Sequence, residues 1–439
     1  MNFCFFFAGS PYIVYALSVL LFAYGAAVIA LTSALFVRTA RPKDGAIAVD
    51  GAPGVSVVIP FRNEERNLNA LLASMDRQRY GGKIEVVLVN DRSTDRGAEL
   101  IKKFTPRNNN LCISVVDLQS SINIGADTRL TSKQLALDLG VDRSSHRLIL
   151  FTDADMILDP AWVGSMVDSH LSTGADMVFG HTAIIRNSEF TDVNTGVDAG
   201  VDKDVDTRVD TDVDTDINIG IDTNVDTDID INSDKRGLIR RLFTLLESYQ
   251  LEYLFSFACA FSKLNLTGSC MGNNILITKT VYAACGGQRG VGYTIVEDRA
   301  LLGLVRKRGF KAVAREPFTV TAWTYPSRSK GQFANQILRW ARGGLSPGGG
   351  LFAAGILLLT QNIMFLLLMI GVLPLILASQ CVANFILTWA FLSISFHKNG
   401  SPVSKILFPA YYIFMMAETA VFLPLMLFRG GIEWKGRKI

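Results

Sequence analysis

The chain is poor in the residues that build zinc sites and disulfide frameworks. Four histidines are scattered through 439 residues, with none of the spacings that gather ligands around zinc. Six cysteines (Cys4, Cys112, Cys259, Cys270, Cys285 and Cys381) show no paired spacing, which reads as reduced, structural thiols. Charge is scarce as well. Charged residues make up 19% and hydrophobic ones 49% of the chain, too apolar a balance for an ordinary soluble domain. With a net charge of only +3, no nucleic-acid partner is expected.

The missing charge is concentrated. Tyr12 to Val37 carries none and is long enough to cross a bilayer, so residues 1–37 read as an N-terminal anchor. A cleaved signal peptide would have a shorter apolar run behind a basic start. Arg38, Arg41 and Lys43 follow at once, which by the positive-inside rule places the next domain, residues 38–345, in the cytoplasm. A second apolar block fills residues 351–428. Leu351 to Phe396 has the length of two crossings with a tight turn near Ser379, and Ile406 to Phe428 of a third. Residues 429–439 are basic (Arg429, Lys435, Arg437, Lys438) and belong on the cytoplasmic side by the same rule. Three crossings would put that tail outside, so parity makes one segment re-entrant or interfacial. An integral protein of the cell (plasma) membrane is expected.

A third region lacks aromatics. From Val193 to Asp234 a branched apolar residue recurs every fourth position, usually followed by Asp, as in "VDTRVDTDVDTDINIGIDTNVDTDIDIN" from Val205. Residues 187–235 hold fifteen acidic side chains against three basic ones, so the rest of the chain is clearly basic, as suits a phosphate-handling protein. With almost no large apolar group the array cannot bury enough surface to order itself. Calcium-binding repeats need glycine turns at fixed positions, and Gly196, Gly200 and Gly220 are irregular. Weak cation binding and an ordered strand stack are the alternatives.

What the remaining sequence contains is an alternation of strands and helices. "VSVVIPF" (Val55 to Phe61) is a buried strand, and Asn63 is placed to cap the helix after it. "IEVVLVND" (Ile84 to Asp91) repeats the pattern, with Ser93 or Thr94 as the next cap. "CISVVDL" and "RLILFTDAD" are further strands, and "TSKQLALDLG" is a helix between them. Such alternation implies a mostly parallel α/β sheet covered on both faces, whose ligands bind beyond the carboxyl ends of the strands. Asp91, Asp153 and Asp155 all fall at such ends. In an extended "DAD", Asp153 and Asp155 lie on one side, where two carboxylates can share a cation such as Mg2+ completed by substrate phosphates. Farther on, "LIRRLFTLLESYQLEYLFSFACAF" (Leu238 to Phe261) is apolar but interrupted by charge, as expected of an interfacial helix.

"VVIPFRNEE", "VLVNDRSTD", "LFTDADMILDP", "VEDRAL" and "QILRW", in this order between membrane segments, resemble the motifs of family 2 membrane glycosyltransferases. The resemblance covers about Val55 to Trp340 and implies a GT-A fold, Rossmann-like and mostly parallel. It implies an inverting enzyme that moves a sugar from a nucleotide-diphosphate donor (a UDP- or GDP-sugar) to a lipid or lipid-linked glycan acceptor with Mg2+ or Mn2+. A processive polysaccharide synthase, or an inactive subunit of a polysaccharide export assembly, are the alternative readings. By the same resemblance Pro60, Asn63 and Glu64 line the nucleotide pocket, and Asp91 binds uracil or ribose with Asp95 supporting the loop. Lys133 lies near base and phosphates, and Asp153 and Asp155 form the DxD pair at the metal. Asp298 is the catalytic base, preceded by Glu297. Gln336, Arg339 and Trp340, at i, i+3 and i+4 of one helix face, stand near acceptor and diphosphate.

Some positions depart from the pattern. Asn90 replaces an aspartate, and Arg92 stands where glycine is common; both bear on nucleotide preference. Ile337 and Leu338 are less polar than in many processive synthases, which tilts toward transfer of one sugar or a few. "CMGNNILITKTVYAACGG" resembles the stretch under the acceptor site, with Gly272 and Asn273 permitting tight backbone. Removing about forty-five residues around Val193 to Asp234 restores a spacing like the family's. The acidic array is thus expected to be an insertion in a surface loop, where added length costs little closure entropy.

Overall fold

The computed structural model describes residues 11–37, 51–118, 130–185, 231–266, 268–316, 320–327, 329–344, 350–399, 401, 403–428, 433–434 and 437–438. Most of the acidic array lies outside the described residues, as do Arg38, Arg41 and Lys43; residues 231–235 are the start of a helix. Helix α1 (Pro11–Ala34) leads to β1 (Val55–Phe61), α2 (Glu65–Asp76), β2 (Ile84–Asn90), α3 (Gly97–Lys103), β3 (Leu111–Asp117), α4 (Ser132–Arg143) and β4 (Leu148–Phe151). There follow β5 (Met156–Leu158), α5 (Trp162–Thr173), β6 (Met177–Phe179), β7 (His181–Ile184), α6 (Ile231–Lys263) and β8 (Ile275–Thr278). The chain continues through α7 (Lys279–Ala284), α8 (Gly287–Val291), α9 (Glu297–Lys307), β9 (Ala312–Ala314), β10 (Val320–Thr324) and α10 (Lys330–Gly344). Three long helices come next, α11 (Gly350–Met369), α12 (Leu375–Asn399) and α13 (Phe408–Phe428).

The large sheet has the order β3-β2-β1-β4-β8-β6-β9. All its pairs are parallel except those of β8, which runs antiparallel to both β4 and β6. Central strands such as β1 and β4 are apolar without alternation because helices cover both faces: Leu68, Leu72, Trp162 and Met166 pack on one side, Leu137, Phe255 and Leu302 on the other. A smaller sheet, β5-β10-β7, flanks it.

Successive strands step outward from β1 to β2 to β3, and β4 then joins on the opposite side of β1. The order reverses there, and in open α/β sheets the crevice beyond such a reversal is the ligand site. Pro60 in β1 is compatible with this opening. Asp91 N donates to Phe61 O, so Phe61 faces β2, while Thr152 N donates to Val58 O, so Val58 and its like-facing neighbour Pro60 face the β4 side. Register with β4 ends at Val58 and Phe151. The proline therefore removes no ladder bond.

Among the described residues three helices are long and apolar enough to cross a membrane: Pro11–Ala34, Phe352–Met369 and Leu375–Asn399. The turn between the last two falls at residues 370–374, not near Ser379. Gly371 takes a left-handed φ of 74° that ends α11, Pro374 stands just before α12, and Ser379 lies inside α12. Polar side chains tie these helices together. Asn384 Nδ2 donates to Leu21 O (2.9 Å) and Gln361 Oε1 (3.0 Å), and Tyr24 Oη meets Thr388 Oγ1 at 2.9 Å. Helix α6 joins this bundle to the sheet. Its Tyr249, Tyr253 and Phe261 pack with Tyr24, Phe391 and Tyr411, whereas its Phe255, Ala258 and Cys259 pack with Phe151, Phe179 and Ile275.

Candidate active site

The crevice is walled first by the ends of β1 and β2. Asn63 and Arg92, just past these strands, both adopt left-handed backbone, with φ of 53° and 57°. Such φ is uncommon outside glycine, though asparagine tolerates it. The two turns are laced together: Thr94 N donates to Asn63 Oδ1 (2.8 Å), and Asn63 N donates to Ser93 Oγ (3.1 Å). Asn63 is thus not the cap of α2. Glu64 holds the N-cap position without a side-chain cap bond, and Asp95 from the facing loop accepts from Glu65 N (2.8 Å) and Gly97 N (3.2 Å). Nor do Ser93 or Thr94 cap the next helix, which begins at Gly97 behind Arg96. Asp95 supports two helix starts at once, a role that depends on a loop from another strand and has no local signature.

Glu64 is buried and accepts from Asn67 Nδ2 at 2.6 Å. Asn90 supplies both hydrogen-bonding senses, donating to Asp117 Oδ1 (2.8 Å) and accepting from Ser93 N (2.9 Å). It holds the ends of β2 and β3 together without charge. Asp91, next in the chain, is buried and receives Arg92 Nε (3.0 Å) and Nη2 (2.8 Å), both on Oδ1.

The second wall is the segment after β4. Residues 153–155 turn between β4 and β5 rather than running on as extended chain. Ala154 still points into the core while the flanking Asp153 and Asp155 are half-buried, because the short, tightly paired strands on either side hold the apolar residue inward.

Lys133 joins this wall to the third. Its Nζ lies 2.9 Å from Asp153 Oδ1 and 2.9 Å from Glu297 Oε1. Burial alone would push the lysine's pKa down; the two carboxylates override it and hold the ammonium well above its ordinary value. The helix that carries Lys133 is itself fixed. Thr131 and Gln134 form a capping box at the start of α4, and Gln134 Nε2 also donates to Gly292 O at 2.7 Å. One glutamine thereby secures both the lysine's helix and the loop that leads to Glu297.

Glu297 and Asp298 open α9, where the free N–H groups of a first turn favour negative charge. Arg299 N donates to Asp298 Oδ1 at 2.7 Å. Burial, followed by the charge of Glu297, nonetheless raises Asp298 to about 6, against the opposing pull of that hydrogen bond, Lys133 and Arg339. A carboxyl group poised there can accept a proton near neutral pH. Gly272 closes over it: a Cβ at that position would stand 2.8 Å from Asp298 Oδ2 and 3.0 Å from its Cβ.

Arg339 reaches the site electrostatically from α10, acting on Asp298. Gln336 and Trp340 share its helix face and are half-buried; neither side chain makes a hydrogen bond among the described residues. Ile337 and Leu338 are buried. Phe333 anchors the helix, with its ring 4.7 Å from Phe243 of α6 and 5.9 Å from Phe414 of α13.

The structure also assigns a part to Asn274, which sequence reasoning passed over. Fully buried, it accepts from Trp162 Nε1 (2.9 Å) and donates to His181 O (3.0 Å) and Thr321 Oγ1 (3.3 Å). It links α5 and two strands of the small sheet, directly after the Gly272–Asn273 turn. Partners so distant in sequence leave no local signal. Among the described residues no three His, Cys, Asp or Glu side chains gather as a metal site. Beyond β4 stand two half-buried carboxylates, Asp153 and Asp155. That donor set suits a hard divalent cation whose other ligands come from phosphate and water.

Two family models match the chain: Glycosyl transferase family 2 over residues 56–197 and Glycosyl transferase family 21 over residues 237–439. The chain is 31% identical over 145 residues to Glycosyltransferase AglE of Haloferax volcanii, covering 33% of this chain and 42% of that protein. It is 32% identical over 126 residues to an undecaprenyl-phosphate 4-deoxy-4-formamido-L-arabinose transferase of Pseudomonas aeruginosa, covering 28% and 34%. A poly-beta-1,6-N-acetyl-D-glucosamine synthase of Staphylococcus aureus matches at 29% over 123 residues, 28% of this chain and 27% of that one. The chain thus spans less than half the length of these curated relatives. A mannosyltransferase from Pyrobaculum calidifontis, solved with GDP-Man and Mn2+, aligns over 94% of this chain and 99% of its own, with a TM-score of 0.51 at 14% identity. That is a likeness of fold. Reversed strand order at the crevice agrees with these matches: the chain carries a family 2 glycosyltransferase domain, matched over residues 56–197, with a GT-A fold.

Proposed function

We propose that the chain is a membrane-bound inverting glycosyltransferase that moves a sugar from a nucleotide-diphosphate donor to a lipid or lipid-linked glycan acceptor. The observation that carries this reading is the convergence on one crevice of Lys133, Asp153, Glu297, Asp298 and Arg339 from four separate elements. Two cations and a poised carboxyl group beside a strand-end aspartate are what a transfer with a diphosphate leaving group requires.

In this reading Asp298 takes the proton of the acceptor hydroxyl as its oxygen bonds to the anomeric carbon. The bond from that carbon to the phosphate oxygen breaks, and the electron pair departs with the nucleoside diphosphate. Arg339 and Lys133 face the charge that develops there. Asp153 and Asp155 would hold Mg2+ or Mn2+, which supplies further positive charge to the diphosphate. Apolar helices at both ends of the domain support an acceptor presented from a bilayer, and the cytoplasmic face of the cell membrane is the side on which the basic flanks would hold the domain.

Membranes containing the chain, incubated with labelled UDP- and GDP-sugars, should yield label in a lipid-extractable product of one or a few added sugars. EDTA should lower the yield, and Mg2+ or Mn2+ should restore it. No transfer from any donor sinks the reading. Undiminished transfer in EDTA removes the cation, and a long polymer replaces single transfer with processive synthesis.

A further inference from the structure

The turn that lays Gly272 against Asp298 is held from outside the crevice. It runs from Met271 to Asn274 and is closed by Asn274 N, which donates to Met271 O at 3.0 Å. Three successive residues, Gly180 and the first two of β7, grip it. Gly180 N donates to Asn274 O (2.8 Å), His181 O accepts from Asn274 Nδ2 (3.0 Å), and Thr182 Oγ1 donates to Asn273 Oδ1 (2.9 Å). The first two bonds end on Asn274, fully buried in the core. Of the three, only the last reaches Asn273, the half-buried neighbour of Gly272. Side chains alternate along a strand, and β7 uses both faces. His181 turns to α6, where its Nε2 lies 2.8 Å from Glu252 Oε1 and its ring stacks on Phe255 at 4.1 Å. Thr182 turns to the Gly272 turn, and its fully buried hydroxyl has its acceptor there.

We propose that Thr182 is a positioning residue for sugar transfer: through Asn273 it holds the Gly272 turn over the Asp298 carboxylate. This rests on reading Asp298 as the base. The turn acts on that carboxylate in two ways. It limits where the group can stand, because any side chain at Gly272 would overlap it. It also keeps water off one side of Asp298, whose raised pKa comes first from burial. The charges around Asp298 lie on other elements: Glu297 and Arg299 beside it on α9, Lys133 on α4 and Arg339 on α10. Burial pushes up the Cys270 thiol, which precedes the turn. Thr182→Val alters none of these groups. Water admitted under a loosened turn therefore lowers the Asp298 pKa toward the ordinary carboxylate range, and the acid limb of the rate profile follows it to lower pH.

The test follows transfer by the full chain in membranes, with labelled UDP- and GDP-sugars as donors, across the pH range around the Asp298 pKa of about 6. Thr182→Val removes the hydroxyl and keeps a β-branched side chain of similar size. Turnover should fall about tenfold with donor KM within about twofold of its starting value, since geometry rather than binding is lost. The acid limb should move to lower pH by about half a pH unit. Thr182→Ser keeps the hydroxyl and should restore both turnover and limb. Asn273→Ala cuts the same bond from the other side, and the double variant should be no slower than the slower single one. A thermal midpoint reports whether each variant is folded; if Thr182→Val is not, Asn273→Ala carries the same two expectations. Unchanged turnover in a folded variant, lost turnover with an unmoved limb, a Thr182→Ser as slow as Thr182→Val, or additive losses in the double variant overturns the role of Thr182. Transfer by the unaltered chain without an acid limb near pH 6, or no transfer from any donor, overturns the reading of Asp298 itself, and this inference with it.

Discussion

Two pairs of buried carboxylates stand on either side of α10 and differ in their company. Glu297 and Asp298, on the crevice side, face the ammonium of Lys133 and the guanidinium of Arg339. Glu247 of α6 and Glu418 of α13, on the side of the apolar helices, meet neutral donors. Glu247 accepts from Ser327 N (3.0 Å) and Ser327 Oγ (2.6 Å), and Glu418 accepts from Gln250 Nε2 at 3.2 Å. Each of these acids lies four residues, one helical turn, beyond an aromatic ring of the clamp on Phe333: Phe243 precedes Glu247 and Phe414 precedes Glu418. Burial raises the Glu247 pKa, against the pull of the Ser327 hydrogen bonds. A buried carboxylate beside cations is a charge available for chemistry; one beside neutral donors is an acceptor that holds chain segments together. The difference separates the proposed reacting site from its scaffold.

The comparison breaks most sharply at Asp298. Asp298→Asn should lower transfer by about two to four orders of magnitude and leave nucleotide binding intact, since only proton abstraction is lost. In the unaltered protein the rate should rise with pH through about 6, because the group works deprotonated and its pKa is raised to about 6. A flat pH profile, or full turnover by the asparagine variant, would remove Asp298 from the chemistry.

Lys133→Met tests the cation. It strips Asp153 and Glu297 of their shared partner, and nucleotide affinity should fall by about a hundredfold. Lys133 pulls the Asp298 pKa down, so without it the acid limb of the rate profile should move to higher pH. Lowered affinity with an unmoved limb would separate the lysine from the base.

Gly272→Ala leaves every charge in place and perturbs geometry alone. The added methyl meets the Asp298 carboxylate at 2.8 Å, and displacement by a fraction of an ångström should cost about tenfold in turnover with a normal thermal midpoint. Unchanged turnover would mean that the carboxylate has room to spare.

Glu418→Gln should change little, within about 1 kcal/mol of stability and a small factor in rate, because a neutral acceptor can replace it opposite Gln250. Glu297→Gln, the same chemical change on the other side of α10, should weaken nucleotide binding through Lys133. Equal damage from both would erase the distinction drawn between the pairs.

The smallest effect is expected from removing Val193 to Asp230, up to the start of α6, and joining the ends with a short Gly/Ser linker. Transfer should persist, with a slight gain at low salt that fades as screening removes like-charge repulsion of the donor. Loss of folding or activity, or ordering of the segment by calcium, would make the acidic array part of the machine.

Much of the fold could be read directly from the chain. The bounds of β1 match the run "VSVVIPF", and β2 ends within one residue of its expected limit, because strands buried on both faces are continuous apolar runs that stop where polar turn residues begin. The helix after Thr131 begins where its capping box places it. The long apolar segments were legible as helices for the same reason, while the turn at Gly371 and Pro374 was misplaced at Ser379 because hydropathy alone does not punctuate an apolar run. Asn63, and Ser93 or Thr94, do not cap the helices that local spacing assigns them, since they bond instead across the two facing turns.

Sequence by itself determined which residue types stand at strand ends and helix starts, since those depend on neighbours a few positions away. Only the tertiary structure decided that one lysine bridges Asp153 and Glu297, that Gly272 roofs Asp298, and that β8 runs against its neighbours. These depend on strand order and on contacts between segments far apart in the chain. Periodicity cannot encode such contacts, because each segment's local pattern is compatible with several partners and packing selects among them.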